Sequence, residues 1–297
     1  MKIYIFEPAS ASNNDIVEAS LRLLKKEFPE DGLSICIKGP LGNKNPTLPY
    51  LANSDMEKAR LFNEFLSKNE ALTVWFSRGG YGTSRWVDKI SLKATLPKIQ
   101  EKTFIGFSDL TFLAAKCIKA GLTFLHAPLV STLTKTSSKA RMALYRFLLK
   151  TELPGLSGKA LTKGACTGRL IGGNLTCLCH TIGTSLEPPW QEAIVFLEEC
   201  NEDIYRIDRM LTHLEGSGAL RKVRGIALGS FTFDKKANEN KKLLVDLLKD
   251  RLFHLGVPII YDLPAGHCLN NMPLLLGATY ELDANRGILL PKVKKSC

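Results

Sequence analysis

The sequence predicts an α/β protein, with an N-terminal parallel-sheet domain and a smaller C-terminal α/β domain that ends in a β-rich tail. Short apolar runs alternate with segments of helical periodicity, a pattern typical of parallel strands covered by helices on both faces. The chain has 297 residues, 45% of them hydrophobic, which is enough to bury two cores. A stretch rich in Gly, Pro, Ser and Thr separates the two halves.

The N-terminal domain is predicted over residues 1–150. Two of its helices are expected to begin near Ser12, which with Asp15 has the form of a capping box, and near Leu110. Gly121 is expected to end the second of these helices. The apolar runs that predict strands cover 1–7, 71–76, 103–107 and 122–125. Strands that alternate with helices in this way predict a parallel sheet.

Residues 151–165 are the predicted linker, because they lack any hydrophobic periodicity and are rich in turn-forming residues. The C-terminal domain is predicted over residues 166–297. Its expected elements are a helix from about residue 174, a strand over 193–197, a helix over 205–214, a strand over 226–228, a helix over 244–255 and β structure over 274–290 with a turn at 284–287.

The charge of the chain argues against a nucleic-acid partner. Lys and Arg number 40 against 29 Asp and Glu, a net charge of +11. Nucleic-acid-binding proteins usually concentrate such charge in a patch, whereas these basic residues are spread along the chain without interleaved aromatics. The charge therefore predicts a solvated surface that attracts small anionic substrates.

Membrane spans, metal sites and cofactor sites are not predicted. No apolar run reaches the roughly 18 residues that a membrane-spanning helix requires. The opening apolar stretch is too short for a signal peptide, so a cytoplasmic location is expected. The eight cysteines contain no Cys-x-x-Cys pair and no zinc-ligand spacing, which predicts free thiols in a reducing compartment.

Ser108 lies where a buried strand is expected to turn sharply into an amphipathic helix. A nucleophile elbow requires this arrangement, because it holds the hydroxyl above the sheet next to backbone amides of the helix start. The lipase pattern Gly-x-Ser-x-Gly is not met, since Leu110 occupies its last position. Ser108 is therefore either a nucleophile or the N-cap of the helix.

A nucleophilic serine needs a histidine base and a carboxylate that orients it. His126 ends a strand and His267 lies in an irregular stretch after one, so spacing leaves both open as the base. Glu198 follows a run of buried-strand residues, at the sheet edge where ligand sites gather. Glu199 is expected to point to the opposite face of that strand. The alternative explanation is that both acids simply mark the end of the buried part of the strand.

Two glycine-rich segments precede predicted helices and are weak signals when taken alone. The backbone amides of residues 78–82 are placed to bind an anion or an oxyanion. Residues 168–174 have a similar composition. Neither segment matches a dinucleotide or P-loop fingerprint, and tight turns explain both equally well.

Taken together, the motifs are specific, and they resemble the LD-carboxypeptidase family, also called muramoyltetrapeptide carboxypeptidases. Relatives of that family include the microcin C self-immunity peptidases. The resemblance covers nearly the whole chain, from Phe6 to about Gly277. The motifs that carry it are, in order, Arg78-Gly79-Gly80-Tyr81-Gly82, Gly106-Phe107-Ser108-Asp109, residues 168–175, 196–211 and 229–231, Gly266-His267 and residues 273–277.

The resemblance implies a two-domain serine peptidase with a Ser-Glu-His triad. By matching motifs, Ser108 is the nucleophile, Glu198 the carboxylate and His267 the base. The backbone amides implied for the oxyanion hole are that of Asp109 and that of Gly79 or Gly80. A carboxypeptidase must also bind a free carboxylate, for which Arg78 and Arg169 are the candidates. Arg78 is equally well explained as a structural ion-pair partner.

The activity implied is hydrolysis of the bond between diaminopimelate and the terminal D-alanine of muropeptide tetrapeptides, during cytoplasmic recycling of cell-wall peptide. The family also implies a homodimer. Two alternatives remain. One is an immunity-type peptidase that acts on an aminoacyl-nucleotide toxin, although the segment 184–191 is short for that group. The other is a non-enzymatic anion- or nucleotide-binding protein, suggested by the positive charge and the glycine loops.

The sequence departs from the family pattern at two places. Glu199-Cys200 stands where the family usually has Asp and an aliphatic residue, and His126-Ala127-Pro128 replaces the commoner Gly-Pro. Neither departure is expected to touch the triad.

Overall fold

The computed structural model describes residues 2–27, 34–37, 41–92, 98–150, 152–233 and 237–292. Residue 1, residue 151 of the predicted linker and residues 293–297 of the predicted C-terminal domain lie outside these ranges. The described strands are β1 (Lys2–Phe6), β2 (Ser34–Ile37), β3 (Leu72–Phe76), β4 (Lys102–Gly106), β5 (Phe124–His126), β6 (Leu156–Ser157), β7 (Lys159–Ala160), β8 (Ala165–Asn174), β9 (Ala193–Cys200), β10 (Gly225–Thr232), β11 (Ile259–Tyr261), β12 (Leu274–Leu276), β13 (Thr279–Asp283) and β14 (Ile288–Pro291). The described helices are α1 (Asn14–Glu27), α2 (Asp55–Ser67), α3 (Thr83–Trp86), α4 (Thr111–Lys119), α5 (Ser138–Lys150), α6 (Leu175–Cys179), α7 (Ile204–Gly216) and α8 (Ala237–Leu252).

The first sheet has the strand order β12-β5-β4-β3-β1-β2, and its strands β1 to β5 run parallel. Every residue of β3 is buried, as its largely apolar character predicts for a central parallel strand. The edge strand β12 comes from the C-terminal part of the chain and pairs antiparallel with β5. The predicted fold class, with a parallel sheet in the N-terminal half, is confirmed.

The second sheet has the order β6-β14-β13-β8-β9-β10-β11-β7, with β8 to β11 parallel at its centre. The described part of the predicted linker differs from a simple connection, because it contains β6 and β7, which pair antiparallel with β14 and β11. Strands of two residues have no periodicity, so only their partners define them. The division into domains stays a prediction.

The second glycine-rich segment lies inside β8, and only the short helix α6 follows it. A Cβ at Gly172 would overlap the carbonyl oxygen of Phe196, and one at Gly173 would collide with the Thr111 hydroxyl. Thr111 Oγ1 accepts a hydrogen bond of 3.0 Å from the backbone N–H of Asn174. These glycines therefore allow β8 to approach both β9 and the start of α4.

The capping box expected at Ser12 is not used. Asn13 Oδ1 accepts from the backbone N–H of Ile16 at the start of α1, whereas the Ser12 hydroxyl donates to Ser77 Oγ. The Ser12 N–H donates to the buried carboxylate of Glu7. Ser12 is thus held by the loops beside the first sheet, and the neighbouring asparagine caps the helix.

The two sheets share one large hydrophobic cluster, which includes Phe76 and Phe104 of the first and Phe196 and Leu228 of the second. Phe107, which directly follows β4, and Phe196 of β9 both pack against the ring of His126. The loop after β11 returns to the first sheet as β12, so it spans both sheets. Within the described ranges, no helix is both long and apolar enough to cross a membrane.

Candidate active site

Ser108 lies on the sharp turn that follows β4. Its backbone φ is +66°, a left-handed conformation that is strained for a residue with a side chain. A 3-10 helix, Ser108–Leu110, begins at this residue and leads into α4. No side chain caps the start of either helix by a hydrogen bond, so the alternative that Ser108 is only an N-cap finds no support.

Glu198 and His267 form a hydrogen-bonded pair at the carboxyl end of β9. His267 Nδ1 lies 2.7 Å from Glu198 Oε2, and the His267 backbone N–H donates to the same oxygen at 3.2 Å. The Glu198 side chain is fully buried, whereas that of His267 is 24% exposed. Because the carboxylate accepts from Nδ1, the neutral imidazole has its lone pair on Nε2, where it can accept a proton.

Gly266 allows the loop of His267 to approach the carboxylate. Its φ is +107°, and a Cβ at this position would lie 2.6 Å from Glu198 Oε2. The Gly266 N–H donates to Asn271 Oδ1 at 2.8 Å, which fixes the loop from its other side. The glycine that precedes His267 is therefore required by the geometry of the Glu198–His267 pair.

The pKa of His267 is raised, although burial by itself lowers it. The Glu198 carboxylate attracts the imidazolium and accepts its hydrogen bond, and Cys200 acts in the same direction. Together these interactions outweigh the loss of hydration. The neutral form of His267 that can act as a base is therefore gained only at higher pH than for an ordinary histidine.

His126, the other candidate base, is not paired with a carboxylate. Its ring packs edge-on against Phe107 and Phe196, with centroid distances of 5.6 and 5.0 Å. Neither ring nitrogen has a hydrogen-bond partner among the described residues. Burial lowers the pKa of His126 to about 4, so the ring is neutral. Between the two histidines, the geometry favours His267.

The nucleophile turn and the candidate base are in contact through Phe107, the residue before Ser108. The Phe107 and His267 ring centroids are 4.7 Å apart. No hydrogen bond joins Ser108 to His267, two residues that the structure describes. Hydrogen bonds between catalytic groups are often long in free enzymes and shorten when substrate binds.

The glycine loop of residues 78–82 lies against Ser108. A Cβ at Gly79 would be 3.4 Å from Ser108 Oγ, and one at Gly80 would be 2.5 Å from Ser10 Oγ. No backbone hydrogen bond of the described chain uses the N–H of Gly79 or Gly80. The Asp109 N–H is at the start of a 3-10 helix, where it has no partner within the helix. Gly79 and Asp109 thus lie beside Ser108, and Gly80 is the next residue of the same loop.

The Asp109 side chain connects the nucleophile turn to the glycine loop. Its Oδ2 accepts a hydrogen bond of 2.8 Å from the backbone N–H of Thr83, the first residue of α3. Burial raises the pKa of Asp109, and the hydrogen bonds from Thr83 oppose that shift. This contact fixes the loop relative to Ser108.

The two candidate arginines differ in position. Arg78 is exposed beside Gly79, and its Nη1 donates to the carbonyl oxygen of Ala11 at 2.6 Å. Arg169 lies within β8, and its guanidinium donates to the carbonyl oxygens of Gly277, Ile118 and Leu122. The structure does not bring Arg169 to the site, because its guanidinium is bound by carbonyl oxygens at the C-terminal end of α4 and in the turn after β12, whereas Ser108 lies before the start of α4.

Glu199 and Cys200 lie on opposite faces of β9. Glu199 points away from His267, as predicted, and its carboxylate accepts hydrogen bonds from Asn174 Nδ2 and from the N–H and hydroxyl of Thr176. Burial raises the pKa of Glu199, and these hydrogen bonds oppose the shift. Cys200 shares the face of Glu198 and raises the pKa of His267, so the expectation that Cys200 does not touch the triad is wrong.

A cleft of about 520 Å³ opens beside His267. Its walls include Phe107, Thr132, Lys135 and Thr232. Lys135 is not among the residues predicted from the sequence, because its segment has no catalytic motif and only the fold brings it to the cleft. Within the described ranges, no three His, Cys, Asp or Glu residues are grouped so that they could hold a metal ion.

Comparison with protein families matches both halves of the chain. Residues 3–127 match the LD-carboxypeptidase N-terminal domain, and residues 167–282 match the LD-carboxypeptidase C-terminal domain. A putative carboxypeptidase of Synechocystis sp. is 36% identical over 242 residues, which cover 81% of this chain and 79% of that protein. A probable murein peptide carboxypeptidase of Bacillus subtilis is 31% identical over 290 residues, 94% of this chain and 88% of that protein.

More distant proteins share the fold. The crystal structure of muramoyltetrapeptide carboxypeptidase from Oxalobacter formigenes has a TM-score of 0.83 at 24% identity, over 98% of each chain. The microcin C7 self-immunity protein of Escherichia coli is 25% identical over 269 residues, 79% of this chain and 77% of that protein. With both domain models matched in order along the chain, this protein belongs to the LD-carboxypeptidase family of serine-type peptidases.

Proposed function

We propose that this enzyme removes the terminal D-alanine from muropeptide tetrapeptides by hydrolysis of its bond to the L-centre of diaminopimelate, in the recycling of cell-wall peptide. The observation that carries the proposal is the Glu198–His267 hydrogen bond beside the strained Ser108. The Bacillus subtilis relative, named a probable murein peptide carboxypeptidase, supports the substrate class.

In this mechanism His267 Nε2 accepts the proton of the Ser108 hydroxyl as the serine oxygen attacks the peptide carbonyl carbon. Glu198 keeps the hydrogen on Nδ1 and stabilises the imidazolium that forms. The attack gives a tetrahedral intermediate whose oxygen carries a negative charge. The imidazolium then protonates the nitrogen of D-alanine, the C–N bond breaks and D-alanine leaves. The rest of the peptide remains bound to Ser108 as an ester.

Water completes the cycle. His267 takes a proton from the water as its oxygen attacks the ester, and then returns a proton to Ser108 as the peptide acid leaves. In both halves, the negative oxygen accepts hydrogen bonds from the N–H groups of Asp109 and of Gly79 or Gly80. One such donor contributes about 3 to 4 kcal/mol of transition-state stabilisation in a well-studied protease.

A second candidate is a peptidase that acts on an aminoacyl-nucleotide toxin, favoured by the similarity to the microcin C7 self-immunity protein. Such a substrate needs an exposed aromatic surface for its base. Trp190, the aromatic residue of the segment 184–191, is 8% exposed and donates from Nε1 to Glu187. The muropeptide substrate is therefore preferred.

We further propose that the enzyme works in the cytoplasm as a homodimer. The location follows from the recycling role, and the homodimer from the family resemblance. Light scattering on the eluted peak of a sizing column measures the second point directly, and a mass of one chain contradicts it.

Incubation of the purified enzyme with a tetrapeptide that ends in diaminopimelate and D-alanine tests the proposal, with D-alanine release as the measurement. An aminoacyl sulfamoyl adenosine serves as the competing substrate, and Ser108→Ala as the matched inactive variant. Release of D-alanine by the wild type but not by the variant supports the proposal. Cleavage of the adenosine compound alone contradicts it in favour of the second candidate.

A further inference from the structure

We infer that Lys135 binds the free carboxylate of the leaving D-amino acid and so restricts the enzyme to the C-terminal residue of its substrate. The inference deepens the proposed function and rests on it. Lys135 is the last residue of a 3-10 helix, Val130–Lys135, and it lines the cleft beside His267. Neither Arg78 nor Arg169, the arginines considered from the sequence, lines this cleft.

The leaving residue must lie on the His267 side of the nucleophile. His267 Nδ1 is bound to Glu198, so Nε2 is the atom that protonates the departing amine. That amine, and the residue attached to it, must therefore approach His267. The cleft is lined by His267 and by Phe107, whereas no residue of the glycine loop 78–82 lines it. The cleft is thus on the leaving-group side, and the oxyanion donors are on another side of Ser108.

The charge of the cleft favours an anion. Lys135 is exposed to the cleft and makes no ion pair with any residue that the structure describes. None of the lining residues is acidic. A carboxylate that entered would therefore meet a cation with no competing partner.

Thr132 and Thr136, which line the cleft next to Lys135, cannot bind the carboxylate in its place. The Thr132 hydroxyl donates to the carbonyl oxygen of Leu129, and the Thr136 hydroxyl donates to that of Thr132. A hydroxyl has one hydrogen, so both side chains are left with acceptor lone pairs only. A carboxylate needs hydrogen-bond donors, and among these three neighbouring side chains only the Lys135 ammonium supplies them.

The backbone that carries Lys135 is firmly placed. Val130 and Leu133 of the same helix are fully buried, and the Ser131 N–H donates to the carbonyl oxygen of Ser77 at 2.9 Å. Ser77 directly precedes the glycine loop. The position of the lysine is therefore fixed relative to the loop that faces the nucleophile.

The test compares two substrates that differ only at the C-terminus: the tetrapeptide with a free D-alanine carboxylate and the same peptide as its D-alanine amide. The variant is Lys135→Met, which keeps most of the side-chain length and removes the charge. The matched control is Lys139→Met, an exposed lysine of α5 that lies outside the cleft. Lys135→Arg tests whether a different cation restores binding.

We expect the wild type to prefer the acid, and Lys135→Met to raise KM for the acid by about ten- to a hundredfold, since hydrogen bonds to charged groups have that effect. Turnover of the amide should be unchanged, which also shows that the variant is folded. Lys139→Met should behave as the wild type, and Lys135→Arg should keep a preference for the acid.

A Lys135→Met variant that retains the wild-type preference for the acid overturns the inference while the proposed function stands. A wild type that releases no D-alanine from either peptide overturns the proposed function and the inference with it. A Lys135→Met variant that loses activity on both substrates equally shows a general role of Lys135 in folding and also contradicts the inference.

Discussion

The two faces of β9 carry neighbouring buried acids with different hydrogen-bond partners. Glu198 binds the imidazole of His267, a side chain from a distant loop that is partly exposed to the cleft. Glu199 accepts its hydrogen bonds from Asn174 and Thr176 at the junction of β8 and α6. Burial of a carboxylate therefore does not by itself separate the proposed catalytic acid, Glu198, from the structural one. The partner does, because only the partner of Glu198, the imidazole of His267, is a side chain that can take up and release a proton.

The largest expected loss of activity follows from removal of Ser108 or His267, the proposed nucleophile and base. Ser108→Ala and His267→Ala should each lower kcat by roughly 10⁶-fold, as in a protease with the same triad chemistry, because nucleophile and base act as one unit. D-alanine release measures the loss. His254→Ala, an exposed histidine paired with Glu215, is the matched control and should be fully active. Appreciable turnover in either triad variant would contradict its assignment.

Glu198→Gln should lower kcat/KM by roughly 10⁴-fold, because the amide no longer fixes the proton on Nδ1. The residual activity should also have a changed pH profile. Glu198 raises the pKa of His267, so its loss lowers that pKa. Because activity requires neutral His267, the acid limb of the profile should move to lower pH. A profile that stays in place while activity falls would show that Glu198 does not act through His267.

Glu199→Gln should lower the stability of the protein and leave its turnover rate unchanged. The amide group would face the donors of Asn174 and Thr176, and the lost hydrogen bonds should reduce the free energy of unfolding by about 1 to 3 kcal/mol. Urea unfolding measures this change. Turnover per folded molecule should match the wild type. A large loss of turnover with unchanged stability would remove the distinction between the two acids.

Cys200→Ala should have the smallest effect. Cys200 helps to raise the pKa of His267, so the acid limb should again move to lower pH, by less than in Glu198→Gln. The pH dependence of kcat/KM measures the shift. Cys36→Ala in β2 serves as the control, and equal profiles for both variants would contradict the role of Cys200.

Local patterns made part of this site predictable from the sequence. Ser108 follows an apolar run and precedes an amphipathic helix, and both signals lie within a few residues of it. Glu198 also directly follows an apolar run. Local sequence could not decide between His126, which ends a strand, and His267, which follows one, because the deciding hydrogen bond joins residues far apart in sequence. The family resemblance, carried by Gly266-His267, indicated the residue that the geometry then favoured.

Other features lacked any local signal. Strands β6 and β7 have two residues each, too few for a hydrophobic period, and they exist because β14 and β11 pair with them. Arg169 was a plausible anion ligand next to glycines, but three carbonyl oxygens use its guanidinium. Lys135 reaches the cleft only through the packing of its 3-10 helix. Each of these features depends on tertiary contacts between distant segments.

The strand β12 has a consequence for how the chain can be divided. It is supplied by residues 274–276, yet it completes the edge of the first sheet beside β5. A truncated chain that ends before it would expose the backbone hydrogen-bonding groups of β5, and such open edges recruit strands from other molecules. The N-terminal half expressed by itself should therefore aggregate, even though its other strands are complete.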